Sequence, residues 1–222
     1  KRGSSGEARI NYSSWYGLQT PINLPERSSS YKVAEMTNES FANEGRTPLY
    51  TQEEINKFRT GEDPYIYPNT DWFKECYNNR ALSMNQYLSI NGGTDKAAYR
   101  ISFGYLSQDG LLVKNQSMDR YNFGMKLDGK GKDWLKTGVS LNLSQQNMLT
   151  PVTVGHSTST LWNTEGNYDV LMQTILGSSS TSPVKYANGE YNNPMGFNPL
   201  ANIMEGGSVK ENLLHLIGST YA

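Results

Sequence analysis

The stretch AAYRISFGYLSQDG, residues 97–110, alternates with period two. Tyr99, Ile101, Phe103 and Tyr105 fall on one parity, and Arg100, Ser102 and Gly104 on the other. Successive side chains of a strand point to opposite faces, so the segment forms an apolar ribbon backed by a polar or small one. A soluble sheet turns such a ribbon toward a protein core, and a membrane barrel turns it toward lipid. The stretch itself allows both.

Four further runs repeat the pattern. In ARINYSSWYGL, Ile10, Tyr12, Tyr16 and Leu18 share a parity, with Ser14 as the exception. NQYLSINGG sets Leu88 and Ile90 against Tyr87, Ser89 and Asn91, and GGTDK then reads as the turn of a hairpin into the opening stretch. DRYNFGMKLDG sets Tyr121, Phe123, Met125 and Leu127 against Asn122, Gly124, Lys126 and Asp128. DWLKTGVSLNLSQQ sets Leu135, Thr137, Val139, Leu141 and Leu143 against Lys136, Gly138, Ser140, Asn142 and Ser144. Each run is about ten residues, longer than the five or six of an ordinary strand and matched to a tilted membrane-spanning one.

The connections divide into two kinds. GGTDK and GKGKD are tight, whereas residues 19–84 and 149–207 are long and mostly lack strand patterning. Short turns at one end and long loops at the other describe an outer-membrane barrel, and such long loops are uncommon in a compact soluble domain. Tyr12, Trp15, Tyr87, Tyr99, Tyr105, Tyr121 and Trp134, near the run ends, are the expected interfacial aromatics. The pattern therefore predicts an all-β fold of lipid-facing strands, with a soluble sandwich or barrel as the alternative. Within the long loops, short helices are expected over 51–63 (Thr51 as N-cap with Glu54 in a capping box), over 29–45 ending at Gly45, near 69–79 opened by Asn69 or Thr70, and over 167–177. NLLHLIGSTYA begins one more strand-like run.

The totals exclude several classes. The 222 residues carry 20 basic and 21 acidic side chains, a net charge of -1, with no basic footprint for nucleic acid. Mean hydropathy is -0.64. No apolar run reaches the length of a transmembrane helix, which says nothing about strands. The opening KRGSSGEARI has no signal-peptide character, so a targeting segment for an exported protein is expected outside these residues. The single cysteine, Cys76, allows no disulfide within the chain and is expected to be an inert buried thiol.

Catalytic and metal constellations are not found. His156 and His215 show none of the known ligand spacings, GKGKD lacks the geometry of a phosphate loop, and no G-x-S-x-G occurs. Glu53 and Glu54 belong to a helix start. Asp169 and Glu190 could be nominated as a carboxylate pair, yet nothing in the sequence pairs them. No enzyme activity, cofactor or metal is predicted. Trp162, Tyr168, Tyr186 and Tyr191 lie in the loops among Asn, Ser and Thr, where a flat ring with polar neighbours can stack on a sugar or fix a peptide. These four are the candidate substrate contacts, and the plainer role for each is to pin the loops together.

Several segments resemble the SusC/RagA family of TonB-linked outer-membrane transporters: the opening KRG, N-T-D-W (69–72), SINGGT, SFGYLSQDGLL, DRYN, DWLKTGVSLNLS, and NNPMGFNPLANI followed by a strand. The resemblance implies a transmembrane antiparallel barrel of about 22 strands with an N-terminal plug. It also implies a SusD-like surface lipoprotein over the extracellular mouth, and uptake of oligosaccharides or peptides energised through TonB. On this reading residues 1–8 end the plug domain, 9–222 are the N-terminal part of the barrel, and the chain is a segment of a longer protein set in outer-membrane lipid. The alternatives are a passive porin or assembly barrel, and a soluble β-rich carbohydrate-binding module or adhesin.

Overall fold

The computed structural model describes residues 6–132, 134–152, 168–193 and 198–222. Among these residues, six strands form one sheet in chain order: β1 (Gly6–Gln19), β2 (Ala81–Gly93), β3 (Ala97–Asp109), β4 (Ser117–Lys132), β5 (Leu135–Pro151) and β6 (Ser208–Tyr221). Every neighbouring pair is antiparallel, so the sheet is an up-and-down meander with β1 and β6 at its edges. Both long connections prove shorter than the sequence pattern suggests. β2 starts at Ala81 and β5 runs on to Pro151, leaving 20–80 and 152–207. The alternation near Leu82 and Met84 is carried by few apolar residues, and cross-strand pairing with β1 extends the strand past them.

Register joins the parities into two faces. One face carries the row Ile10, Ile90, Ile101, Met125, Leu141 and the row Tyr12, Leu88, Phe103, Phe123, Leu143, Leu216. The row Tyr99, Leu127, Val139 bounds this belt toward the turns, and Tyr105 with Tyr121 bounds it toward the long loops. Those two rings stack at 4.9 Å. From Tyr99 to Tyr105 the belt runs about 20 Å along the strand, the scale of the roughly 25 Å apolar band of an outer-membrane barrel. Beyond it the same face turns polar at Ser107, Asp119, Asn147 and Asn212.

The opposite face carries Asn11, Ser89, Ser102, Gly124 and Asn142 in one row and Arg9, Asn91, Arg100, Lys126, Ser140 and Ser219 in the next. Trp15 and Tyr87 also belong here, because they share parity with Asn11 and Ser89. They are therefore not part of the apolar face's aromatic borders, and Tyr16, paired with Met84, is on that face instead. Gly93 closes the β2–β3 turn, where a Cβ would lie 2.4 Å from the carbonyl oxygen of Ala97.

Among the described residues, five helices lie in the two long connections: α1 (Ser30–Asn43), α2 (Gln52–Thr60), α3 (Trp72–Cys76), α4 (Tyr168–Gly177) and α5 (Pro199–Glu205). α2 has the full capping box between Thr51 and Glu54 and ends on Gly61 in the left-handed conformation. α3 is capped by Asp71, not by Asn69 or Thr70. Asn69 instead accepts the backbone N–H of Ser30 at 2.9 Å and anchors the start of α1. Both long connections and the short 110–116 loop leave the sheet at the same end, and together they form a cap with its own core.

Candidate functional site

The cap is built from sequence-distant pieces. Trp72, Phe73, Cys76 and Tyr77 of the α3 segment pack with Leu112 of the 110–116 loop, Leu171 and Ile175 of α4, and Ile203 of α5. Polar links run between the same pieces. Asn78 donates its backbone N–H to Leu111 O (2.7 Å), Trp72 Nε1 donates to Ser179 O (2.9 Å), and Thr70 Oγ1 donates to Ser182 O (2.7 Å). The Arg27 guanidinium donates to Leu176 O and Ser178 O, both at 2.6 Å, and so satisfies carbonyls at the end of α4 where a cation is favoured. A second cluster, Ala34, Ile55 and Phe58, joins α1 to α2, with Tyr50 and Tyr67 edge-on to Phe58.

Of the four candidate contacts, the structure brings two together. Tyr186 and Tyr191 sit on one small hairpin, where the Tyr186 N–H donates to Glu190 O (2.8 Å) and Gly189, at φ +87°, makes the turn. Tyr186 is exposed, while one face of the Tyr191 ring is covered by Lys185 Nζ at 4.3 Å from its centroid. Beside Tyr191 lies a cleft of about 470 Å³ edged by Glu190, Asn193, Asn202 and Glu205, a hydrogen-bonding lining suited to hydroxyl or amide groups. Tyr168 opens α4, and its side chain, like Trp162, His156 and the side chain of Asp169, lies outside what is described. The Asp169–Glu190 pairing is therefore not tested. The hairpin is legible only as a Gly turn between two tyrosines. The Asn198 N-cap of α5, with Pro199 at N1, is a recognisable helix start that the sequence reading missed.

No grouping of three or more metal-ligating side chains occurs among the described residues. Cys76 is fully buried, and burial pushes its thiol up to about 12. The thiol is therefore no nucleophile near neutrality. The folded cap disfavours the thiolate, so the effect is absent below the ordinary thiol value near 9 and the cap is destabilised as pH rises above it. A maleimide is expected to label Cys76 slowly at pH 7 and much faster once the cap is unfolded in urea. Equal rates would contradict the buried assignment.

The polar face of the sheet is the other candidate surface. On it, Arg100 Nη2 donates to Tyr87 Oη at 3.0 Å, Ser144 Oγ donates to Asn122 Oδ1 at 2.9 Å, and Ser102 and Gly124 face each other without bulk. Across β1–β5, away from the loop end, it is a wettable surface of amides, hydroxyls and cations. The apolar belt, by contrast, is open: Phe103 is 47% exposed and Ile101 39%, and among the described residues the helices gather at the loop end. No described helix is long and apolar enough to cross a membrane, a statement that leaves strands untouched.

No family model matches the chain. It is 30% identical over 188 residues, 81% of its length, to TonB-dependent receptor P26 of Formosa agariphila, and 33% identical over 73 residues, 33% of its length, to TonB-dependent receptor P3 of the same organism. The first match spans 18% of that relative's length and the second 7%. Among solved structures, the RagAB peptide transporter aligns over 89% of this chain and 24% of the other at 15% identity and a TM-score of 0.62. The RagAB peptide importer in its open-open state aligns over 99% and 26%, at 15% identity and a TM-score of 0.61. At such identities these structures speak for the fold alone. The resemblance read from N-T-D-W, SINGGT and DWLKTGVSLNLS is borne out by the curated relatives, and the solved structures match its fold.

Proposed function

We propose that this chain, a relative of the TonB-dependent receptors, forms six consecutive wall strands and the extracellular loop cap of an outer-membrane nutrient importer. The observation that carries the reading is the uncovered apolar belt. Contiguous exposed apolar surface of this size needs a partner. An antiparallel sheet with one dry face, one wet face and all its long loops at one end fits a barrel wall in lipid. A soluble carbohydrate-binding module or adhesin would need another layer across the belt, and no described element provides one. The open edges of β1 and β6 require further strands on both sides, since unpaired edges are not tolerated in lipid. The relatives' greater length supports this.

In this reading the plug domain closes within residues 1–8, whose Gly6 already pairs with Gly93 in β1, and 9–222 belong to the barrel. The loop cap faces outward beneath a SusD-like lipoprotein, and the mechanism is gated passage powered through TonB, with no bond made or broken. Cargo is an oligosaccharide or a peptide. Trp162, Tyr168, Tyr186 and Tyr191 are its proposed aromatic contacts, and Tyr186 is the ring the hairpin leaves most available.

The test is the mass and location of the polypeptide in its native cell, probed with an antibody against residues 149–207. Expected are a band several times larger than 24.8 kDa in the outer-membrane fraction, co-purification of a lipoprotein, and labelling of intact cells. A soluble band at 24.8 kDa would overturn the proposal.

A further inference from the structure

At its tight-turn end the apolar belt steps down. The row Tyr99, Leu127, Val139, Thr220 is followed toward the turns by Ala97, Gly129 and Thr137 on the same face. Between the two rows runs a groove of about 570 Å³, within the size range of ligand clefts, and its floor is the sheet backbone. A Cβ on Gly129 would meet only Thr137, the hydroxyl at 3.4 Å, so the space is open because these side chains are small. The side chains of this face that line it are apolar except for the hydroxyls of Tyr99, Thr137 and Thr220.

The two tight turns beyond the groove lie side by side, joined where the Lys130 N–H donates to Lys96 O at 2.7 Å. Their sequences carry Lys96, Lys130, Lys132 and Lys136 against Asp95 and Asp133, a positive balance. A register shift between Lys130 and Lys132 makes Gly131 an extra residue. Lys130 therefore opposes Lys136 on the polar face, whereas Lys132 opposes Leu135 on the belt face. The bulge thus brings one lysine to the lipid side of the sheet. Leu135 is two residues from Thr137, about 7 Å along the strand and within a lysine's reach. Among the described residues no ion pair involves Lys132. Trp134, in the same turn, is 77% exposed, as suits an indole anchored at a membrane border.

An apolar groove with hydroxyl donors along it and a cation at its end is complementary to an acyl chain that ends in ester carbonyls and a phosphate. We propose that this groove seats one anionic phospholipid of the leaflet that meets the tight turns, its chain against Gly129 and its phosphate on Lys132. The proposal rests on the reading of this sheet as barrel wall, since the groove continues the face assigned to lipid. It adds a defined, charge-selective lipid seat to a belt that otherwise needs only hydrocarbon.

Native mass spectrometry tests this on the full-length receptor purified from the outer membrane and exchanged into micelles with equal phosphatidylglycerol and phosphatidylethanolamine. Heat-modifiable electrophoretic mobility verifies the assembled barrel for every variant. One phosphatidylglycerol is expected to stay bound in preference to phosphatidylethanolamine. Lys132→Gln is expected to weaken its retention about fivefold, the weight of one lysine at a charged lipid surface. Gly129→Leu, which fills the groove, is expected to abolish it, and Ala97→Leu in the same row reads the same space should Gly129→Leu not assemble. Equal retention of the two lipids, unchanged in Lys132→Gln, would mean unselective solvation of the belt and overturns the proposal. Retention that survives both leucine variants places the lipid elsewhere and also overturns it. A receptor with no heat-modifiable form would defeat the barrel reading itself, and the lipid seat with it.

Discussion

Phe103→Arg is expected to lower the fraction of assembled barrel sharply, while Ser102→Arg, one residue away, leaves most of it intact. The two side chains leave the same strand on opposite faces. Phe103 stands between Leu88 and Phe123 in the middle of the apolar belt, and Ser102 stands between Ser89 and Gly124 on the polar wall. An arginine on the lipid face near mid-membrane costs about 2–4 kcal/mol, enough to consume much of a folded protein's margin. At Ser102 the long side chain meets a glycine across the strand pair, and apart from the Ser102 hydroxyl itself the one atom within 4 Å of where a Cβ on Gly124 would lie is Asn142 Oδ1 at 3.5 Å, so an arginine has room to extend along the polar face. Heat-modifiable mobility in outer-membrane fractions and the urea midpoint in vesicles measure the difference. Equal tolerance at the two sites would sink the lipid assignment. A buried protein core at Phe103 would also reject arginine, so tryptophan scanning completes the test. Phe103→Trp is expected to be quenched by brominated lipid, and Ser102→Trp to be unaffected.

The strands were legible because their signal is local. Tyr99 to Tyr105 alternate without interruption, and β4 and β5 repeat the same arrangement on both parities. α2 was legible for a similar reason: Thr51, Glu54 and Gly61 carry a start and a stop within ten residues. What failed to be legible depends on partners far along the chain. β6 is apolar on both faces, with Leu213 and Ile217 on the polar wall and Leu214 and Leu216 on the belt, so periodicity alone does not assign its register. Asn69 and Asp71 are equally good capping residues in isolation. The choice between them is made by Ser30, 39 residues earlier, whose N–H engages Asn69. Trp15 and Tyr87 were misplaced by treating proximity to a run end as sufficient, although parity had already put them on the other face. The Tyr186–Tyr191 hairpin was reachable from residue types but not its cleft, which also needs Asn202 and Glu205 from α5.

The same non-locality makes the cap sensitive to a single buried ring. Phe73 is 2% exposed, lies 6.1 Å from Tyr77 between ring centroids, and belongs to the cluster that joins α3, the 110–116 loop, α4 and α5. Phe73→Ala removes a large side chain from a site with contributions from every loop, and such truncations cost about 3–5 kcal/mol. The strands do not depend on this ring, because their stability comes from ladder pairing and the environment of the belt. The expected result is local: protease cuts appear in 20–80 and 152–207, while the barrel keeps its heat-modifiable mobility. Phe58→Ala serves as the contrast. Phe58 packs in the separate α1–α2 cluster with Ala34 and Ile55, so its loss is expected to expose α1 and α2 and leave the segment around Trp72 protected. If Phe58→Ala opened both regions equally, the cap would be one cooperative unit and the division into two cores would fail. If Phe73→Ala left the loops as resistant as before, the cap would be held by its hydrogen bonds, with Arg27 and Thr70 as the next residues to remove.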